Sequence, residues 1–182
     1  QPLPLPCLGF RLAKALATSS QRCYTFGAAK ENTMITCPSV AQLVNQALKE
    51  ANFTRWNVVY AVRLTYTPEM PGVAGWVKPS PQKGKRYVFI NLAAALFAHW
   101  HHDPEYQAAI AFDVLVHETT HCLSRYLAHE LGPEYWRKPD GSLFATIEKL
   151  VYAALKPKRE IITAKLQNCI ERLGKRLQQT KR

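Results

Sequence analysis

Apolar positions along the chain change their period several times, and each change marks an element. Val40, Leu43, Val44, Ala47 and Leu48 follow the 3.6-residue spacing of an amphipathic helix, with Ser39 placed to cap it. WNVVYAVRLTYT, 56–67, is rich in β-branched and aromatic residues and reads as a strand. Turn residues then flank a short strand in AGWVK, 74–78, and RYVFINL, 86–92, gives another. The spacing predicts a helix over 92–99, broken by HWHHDP before Pro104, and a long helix from about 105 to 129 that ends at LGP. After the turn KPDGS comes a helix over 143–155, with Ser142 placed as its cap. Beyond Pro157 follows a basic amphipathic helix with Ile161, Ile162, Leu166, Cys169, Ile170 and Leu173 on one side. These elements make a short antiparallel or mixed sheet packed by helices, so the fold class is α+β.

Composition narrows this to one domain. The chain has 182 residues, 47% hydrophobic and 20% charged, enough for one proper core and typical of soluble globular proteins. No apolar run reaches the roughly 18 residues that span a bilayer, which argues against a membrane partner. QPLPLP cannot be helical, and GFRLAKALATSSQR is basic, acid-free and loosely like an organelle transit peptide. Residues 1–33 are therefore expected as a leader or poorly ordered segment, 34–155 as the domain and 156–182 as a basic C-terminal helix. Charge follows the same division: four Lys/Arg against one Asp/Glu in 1–33, nine against two in 156–182, eleven against ten between. A basic flank of that kind suits a polyanion, so nucleic acid is the expected partner of the C-terminal helix. The five cysteines include no CxxC pair, which argues against a zinc ribbon or a disulfide framework and for a reducing, intracellular compartment. Cys122 is expected as a small buried apolar residue.

The long helix carries the chemistry. In VLVHETTHCL, His117 and His121 are four residues apart, so both imidazoles leave one face and can share one ion. Zn2+ accepts such nitrogens, and catalytic sites add a third protein ligand and a water. The metal lowers the water's pKa to near 7, and Glu118 beside the pair is placed to take its proton as general base. An unpaired glutamate and two histidines on a core helix would otherwise be costly to bury. The third ligand is open. HExxHxxGxxH is excluded, because Ser124 and Leu127 stand at the Gly and final His positions. Asp140 ranks first, in a turn where the chain can fold back, and Glu148 on the next helix second. His129 is third, because an unbroken helix would carry it about 12 Å further along the axis. Tyr126, Tyr135 and Arg137 follow the motif and are candidates to donate to a tetrahedral oxyanion.

From Val40 to Leu155 the chain resembles the SprT-like (Spartan-type) metalloprotease domain. The likeness rests on the helix and strand order, on AGWVKP and YVFINLAAALF, on VLVHETTHCL, and on KPDGSLFATIEKL in place of the family's His-Gly-x-x-Phe segment. It implies a zincin-like, zinc-dependent, DNA-associated protease acting on a protein or peptide, with the motif histidines and a third histidine as ligands. Asp140 stands at that third histidine's position, with Gly141 and Phe144 in their expected places. The zinc ribbon found after some members is absent.

The cluster His99, His101, His102 and Asp103 reads better as a surface loop at a helix end than as a metal site. The strand over 86–92 is expected to present an edge to an extended peptide. KGKR, 83–86, with Trp76 and Tyr87 nearby, suits either nucleic acid or a solvated turn. Two functions compete: a zinc metalloendopeptidase, and a non-catalytic zinc-containing protein that binds nucleic acid or an acidic partner. Glu118 favours the enzyme, because a closed structural site has no use for a free carboxylate beside the metal.

Overall fold

A computed structural model describes residues 33–98, 103–131 and 142–180, without the side chains of Ala98, 125–131 and Ser142. In chain order they form β1 (Met34–Thr36), α1 (Val40–Glu50), β2 (Val59–Thr65), β3 (Gly75–Pro79) and β4 (Arg86–Asn91). Then come α2 (Ala95–Ala98), α3 (Pro104–Leu131), α4 (Ser142–Leu155) and α5 (Arg159–Gln179). A 3-10 turn over Lys156–Lys158 joins the last two, where Pro157 lacks the N–H a continuous helix needs.

The four strands make one mixed sheet in the order β1-β2-β4-β3, so the chain is α+β. β1 runs antiparallel to β2, β2 parallel to β4, and β3 antiparallel to β4. Paired on both sides, β4 has no edge to offer, contrary to the sequence expectation for 86–92. Among the described residues the free edge next to it belongs to β3. Val62, Leu64, Val88 and Ile90 are fully buried beneath the helices, while Arg63, Tyr87 and Phe89 alternate with them onto the opposite face. On that face Trp76 stacks on Phe89 with centroids 5.1 Å apart, and the Arg63 guanidinium lies 4.3 Å over Tyr87.

Two buried asparagines lock the ends of the sheet. Asn45 of α1 accepts from the Val58 and Val59 amides at 3.0 and 3.1 Å and donates to the Val59 carbonyl at 2.8 Å. Asn91 accepts from the Thr67 and Ala93 amides, and its Nδ2 lies 3.0–3.1 Å from the Thr67, Met70 and Val73 carbonyls. It thereby holds the long β2–β3 connection against the end of β4 and sets where β3 begins.

The helix periods place the elements well, with three differences. Ser39 sits in left-handed backbone, φ 66°, and makes no capping bond with its side chain. The helix expected over 92–99 is described over Ala95–Ala98 and starts late, because the Asn91 side chain accepts from the Ala93 amide just before it. The basic C-terminal helix is no appendage: Ile162, Leu166 and Leu173 of α5 are fully buried in the same core as α1 and α3. Cys37, Cys122 and Cys169 are free and buried there as well.

Candidate metal centre

α3 starts where Asp103 accepts from the amides of Glu105 and Tyr106, at 3.0 and 3.4 Å, with Pro104 in the first helical position. The last residue of HWHHD is thus a helix cap, while His99, His101 and His102 lie outside the described residues. The middle of α3 is enclosed on all sides: Phe112, Val114, Leu115, Thr119, Thr120 and Leu123 are fully buried. Such enclosure suits its near-uniform hydrophobicity, since a one-sided stripe would leave an exposed face. Thr120 and Ser124 return their hydroxyls to the carbonyls of Val116 and His121.

His117 and His121 point together. Their Nε2 atoms are 3.2 Å apart and their ring planes cross at 78°. Two nitrogens bound to one tetrahedral zinc at about 2.0–2.1 Å sit roughly 3.3 Å from each other, so the pair fits that ion. On its other side, His117 Nδ1 is 2.9 Å from Glu148 Oε1 of α4. With Nδ1–H donating to that carboxylate, Nε2 is left for the shared position, as outer carboxylates arrange for metal-ligating histidines. Phe144, also on α4, closes the site, with its ring centroid 5.1 and 4.7 Å from the two imidazoles.

Titration follows from these contacts. Burial works against charge on His117, but the Glu148 hydrogen bond and the Glu118 and Glu148 carboxylates outweigh it and raise its pKa. Burial and the neighbouring His117 push His121 down to about 4. Without an ion, a proton taken up by the pair therefore goes to His117, and His121 stays neutral until well below the ordinary histidine range. Burial lifts Glu118 to about 7 against the pull of His117, with Glu148 adding to the rise. A base that titrates near neutrality is suited to proton transfer there.

Glu118 also meets the sheet edge. A Cβ on Gly75 would lie 2.8 Å from Glu118 Cγ and Oε1 and 2.7 Å from Val114 Cγ1. Only glycine lets the start of β3 pass this close to the carboxylate. The sequence signal was an isolated Gly opening a strand, a pattern that marks close backbone approach.

The other candidates divide. α3 continues unbroken to Leu131, so His129 stands about 12 Å along the axis from His121, the separation that disfavours it as a ligand. Tyr126 lies on the same helix with only its backbone described. Asp140, Tyr135 and Arg137 fall in 132–141, outside the described residues. Among the described residues no group of three His, Cys, Asp or Glu side chains is gathered to hold a metal ion. No helix among them is long and apolar enough to cross a membrane. Compared with models of protein families, with curated proteins and with solved structures, the chain finds no match.

Proposed function

We propose that this chain is a zinc-dependent metalloendopeptidase of the SprT-like, HExxH kind. The observation that carries the reading is the pair of Nε2 atoms 3.2 Å apart with the Glu118 carboxylate buried beside them. His117 and His121 would hold the ion, and Asp140 remains the first choice for a third protein ligand, in the segment that leads back into α4. Glu148 is better suited to orient His117 than to bind metal, because its oxygen already engages Nδ1, the ring nitrogen remote from the shared position.

When bound, zinc supplies Lewis acidity, polarising a peptide carbonyl and making water nucleophilic near neutral pH. Glu118 accepts the proton lost by the attacking water and returns it to the leaving amine. Its burial serves this role, since a carboxylate held near pKa 7 can both take and give a proton at pH 7. The backbone groups on the outer edge of β3, which starts against Glu118, suit an extended substrate added as a further strand.

Zinc content by mass spectrometry, together with cleavage of an unfolded protein substrate, tests the reading. Parent protein should carry near one zinc per chain, Asp140→Ala should lose most of it, and Glu118→Gln should keep zinc while losing at least ~100-fold in rate. Hydrolysis retained by Glu118→Gln would sink the mechanism. Absence of zinc even after reconstitution would leave a non-catalytic binding protein.

A further inference from the structure

Two of the buried cysteines meet from opposite ends of the domain. Cys37 occupies the corner between β1 and α1, where its amide donates to the Val62 carbonyl at 2.9 Å and Ser39, φ 66°, turns the chain into the helix. Cys169 lies on the buried face of α5, between Leu166 and Leu173. The two thiols are hydrogen-bonded to each other. A second tie joins the same elements further along α5, where the Arg176 guanidinium donates to the Met34 carbonyl of β1 at 3.3 Å. Sulfurs in such contact need only small side-chain rotations to reach the bonding distance of about 2.05 Å.

The contact is not symmetric. Cys37 donates and Cys169 accepts, so the hydrogen bond raises the Cys37 pKa, and burial adds to the rise. The same bond lowers that of Cys169 against the effect of burial, and Arg172 and Lys165 add to the fall. These cations stand three residues after Cys169 and four before it, on its own side of α5. A sulfur with a second thiol against it and cations beside it is disposed to react as thiolate. Two cysteines serving only as small apolar side chains would gain nothing from those cations. Both are enclosed, 2% and 3% exposed, which keeps bulky disulfides away and selects a small oxidant.

We propose that Cys37 and Cys169 are a redox-sensitive pair, which hydrogen peroxide converts to a reversible disulfide that fastens α5 to the β1–α1 corner. The Cys169 thiolate attacks one peroxide oxygen. An S–O bond forms, the O–O bond breaks, and the hydroxide that leaves takes back the proton Cys169 had released, giving water. The Cys37 sulfur then attacks the Cys169 sulfur. The S–S bond forms, the S–O bond breaks, and the oxygen leaves as a second water with the Cys37 proton. The two sulfurs together give up two electrons, and the peroxide takes them. A small dithiol reverses the change by thiol–disulfide exchange. The bond closes a loop that contains β2 through α4, and so the whole candidate metal centre. A cross-link over so long a loop removes much of the freedom of the unfolded chain. In a reducing compartment the lock would form only while oxidant is present. It does not rest on the peptidase reading.

Mass spectrometry on the full chain tests it: the reduced protein is exposed to hydrogen peroxide, blocked with N-ethylmaleimide and digested with trypsin without reductant. Peptides 31–49 and 166–172 should appear joined, about 2 Da lighter than the two thiols, and should separate after dithiothreitol. The oxidised chain should melt about 10 °C above the reduced one. Cys37→Ala removes the second thiol, so peroxide should leave Cys169 as a sulfenic acid that dimedone traps, with no rise in Tm. The peptide map is made on the parent protein, so it decides even where the variant fails to fold. Both peptides recovered as maleimide adducts after prolonged exposure would overturn the proposal. So would a bond from either cysteine to Cys7, Cys23 or Cys122, a link between two chains on a non-reducing gel, or an oxidised chain that melts no higher than the reduced one.

Discussion

Asp113 stands one helical turn before His117, mostly enclosed. Burial raises its carboxyl to about 6, Arg159 pulls it down and Glu148 pushes it up. The native state therefore keeps a proton that the unfolded chain has already released. As pH rises from about 4 through 6, stability is lost, and above that window the loss is complete. Asp113→Asn should leave stability nearly unchanged at pH 4 and raise it at pH 8 by on the order of 2–3 kcal/mol, read by urea denaturation at the two pH values. An equal effect at both would place the cause outside this carboxyl. Gly75 is the second informative residue. Alanine there puts a Cβ into Glu118, so Gly75→Ala should cut peptidase activity at least tenfold while zinc content holds near the parent's. Both histidines, the glutamate between them and the buried state of Cys122 were legible in the sequence, because a four-residue spacing on an apolar helix fixes one face. The role of Glu148 was not. It arises from the packing of α4 on α3, 31 residues away in the chain.

At the scale of elements, α5 forms over the stretch its amphipathic period predicts. Its net basic charge suggests a polyanionic partner, and Ile162, Leu166, Cys169, Ile170 and Leu173 are buried against α1, β1 and α3. Five buried side chains at about 1.5–3 kcal/mol each amount to roughly 8–15 kcal/mol, comparable with the whole stability of a domain this size. Deleting 159–182 should therefore abolish the cooperative thermal transition seen by circular dichroism, rather than release a folded core. A retained sharp transition would show the helix to be dispensable. The amphipathic pattern was plain in the sequence and its partner was not, since period alone does not say whether a helix stripe meets its own core. The edge of the sheet was obscured in a similar way. β4 reads as strongly as β3, and only the order β1-β2-β4-β3 decides which of them lies at the edge among the described residues.

For the whole molecule, the proposed zinc site would link ion binding to folding. The histidine pair converges only when α3 is packed, so zinc at about 100 times its Kd should raise stability by about 2.7 kcal/mol and Tm by roughly 5–10 °C. The ion competes with a proton on His117, whose pKa is raised, so the shift should be larger at pH 8 and should already fade as pH falls through and below the ordinary histidine range. Differential scanning fluorimetry across pH, with and without chelator, checks this. A shift equal at pH 5 and pH 8 would mean that the ion is held elsewhere.

The sequence by itself determined the helices, three of the four strands and the motif on α3, because hydrophobic period and residue spacing are local quantities that backbone geometry turns directly into faces. The tertiary structure decided that β3 and not β4 lies at the sheet's edge among the described residues, and it placed the Glu148 carboxylate behind His117. Each of these depends on segments far apart in the chain being brought together by burial of a common core, and no local pattern encodes such distances.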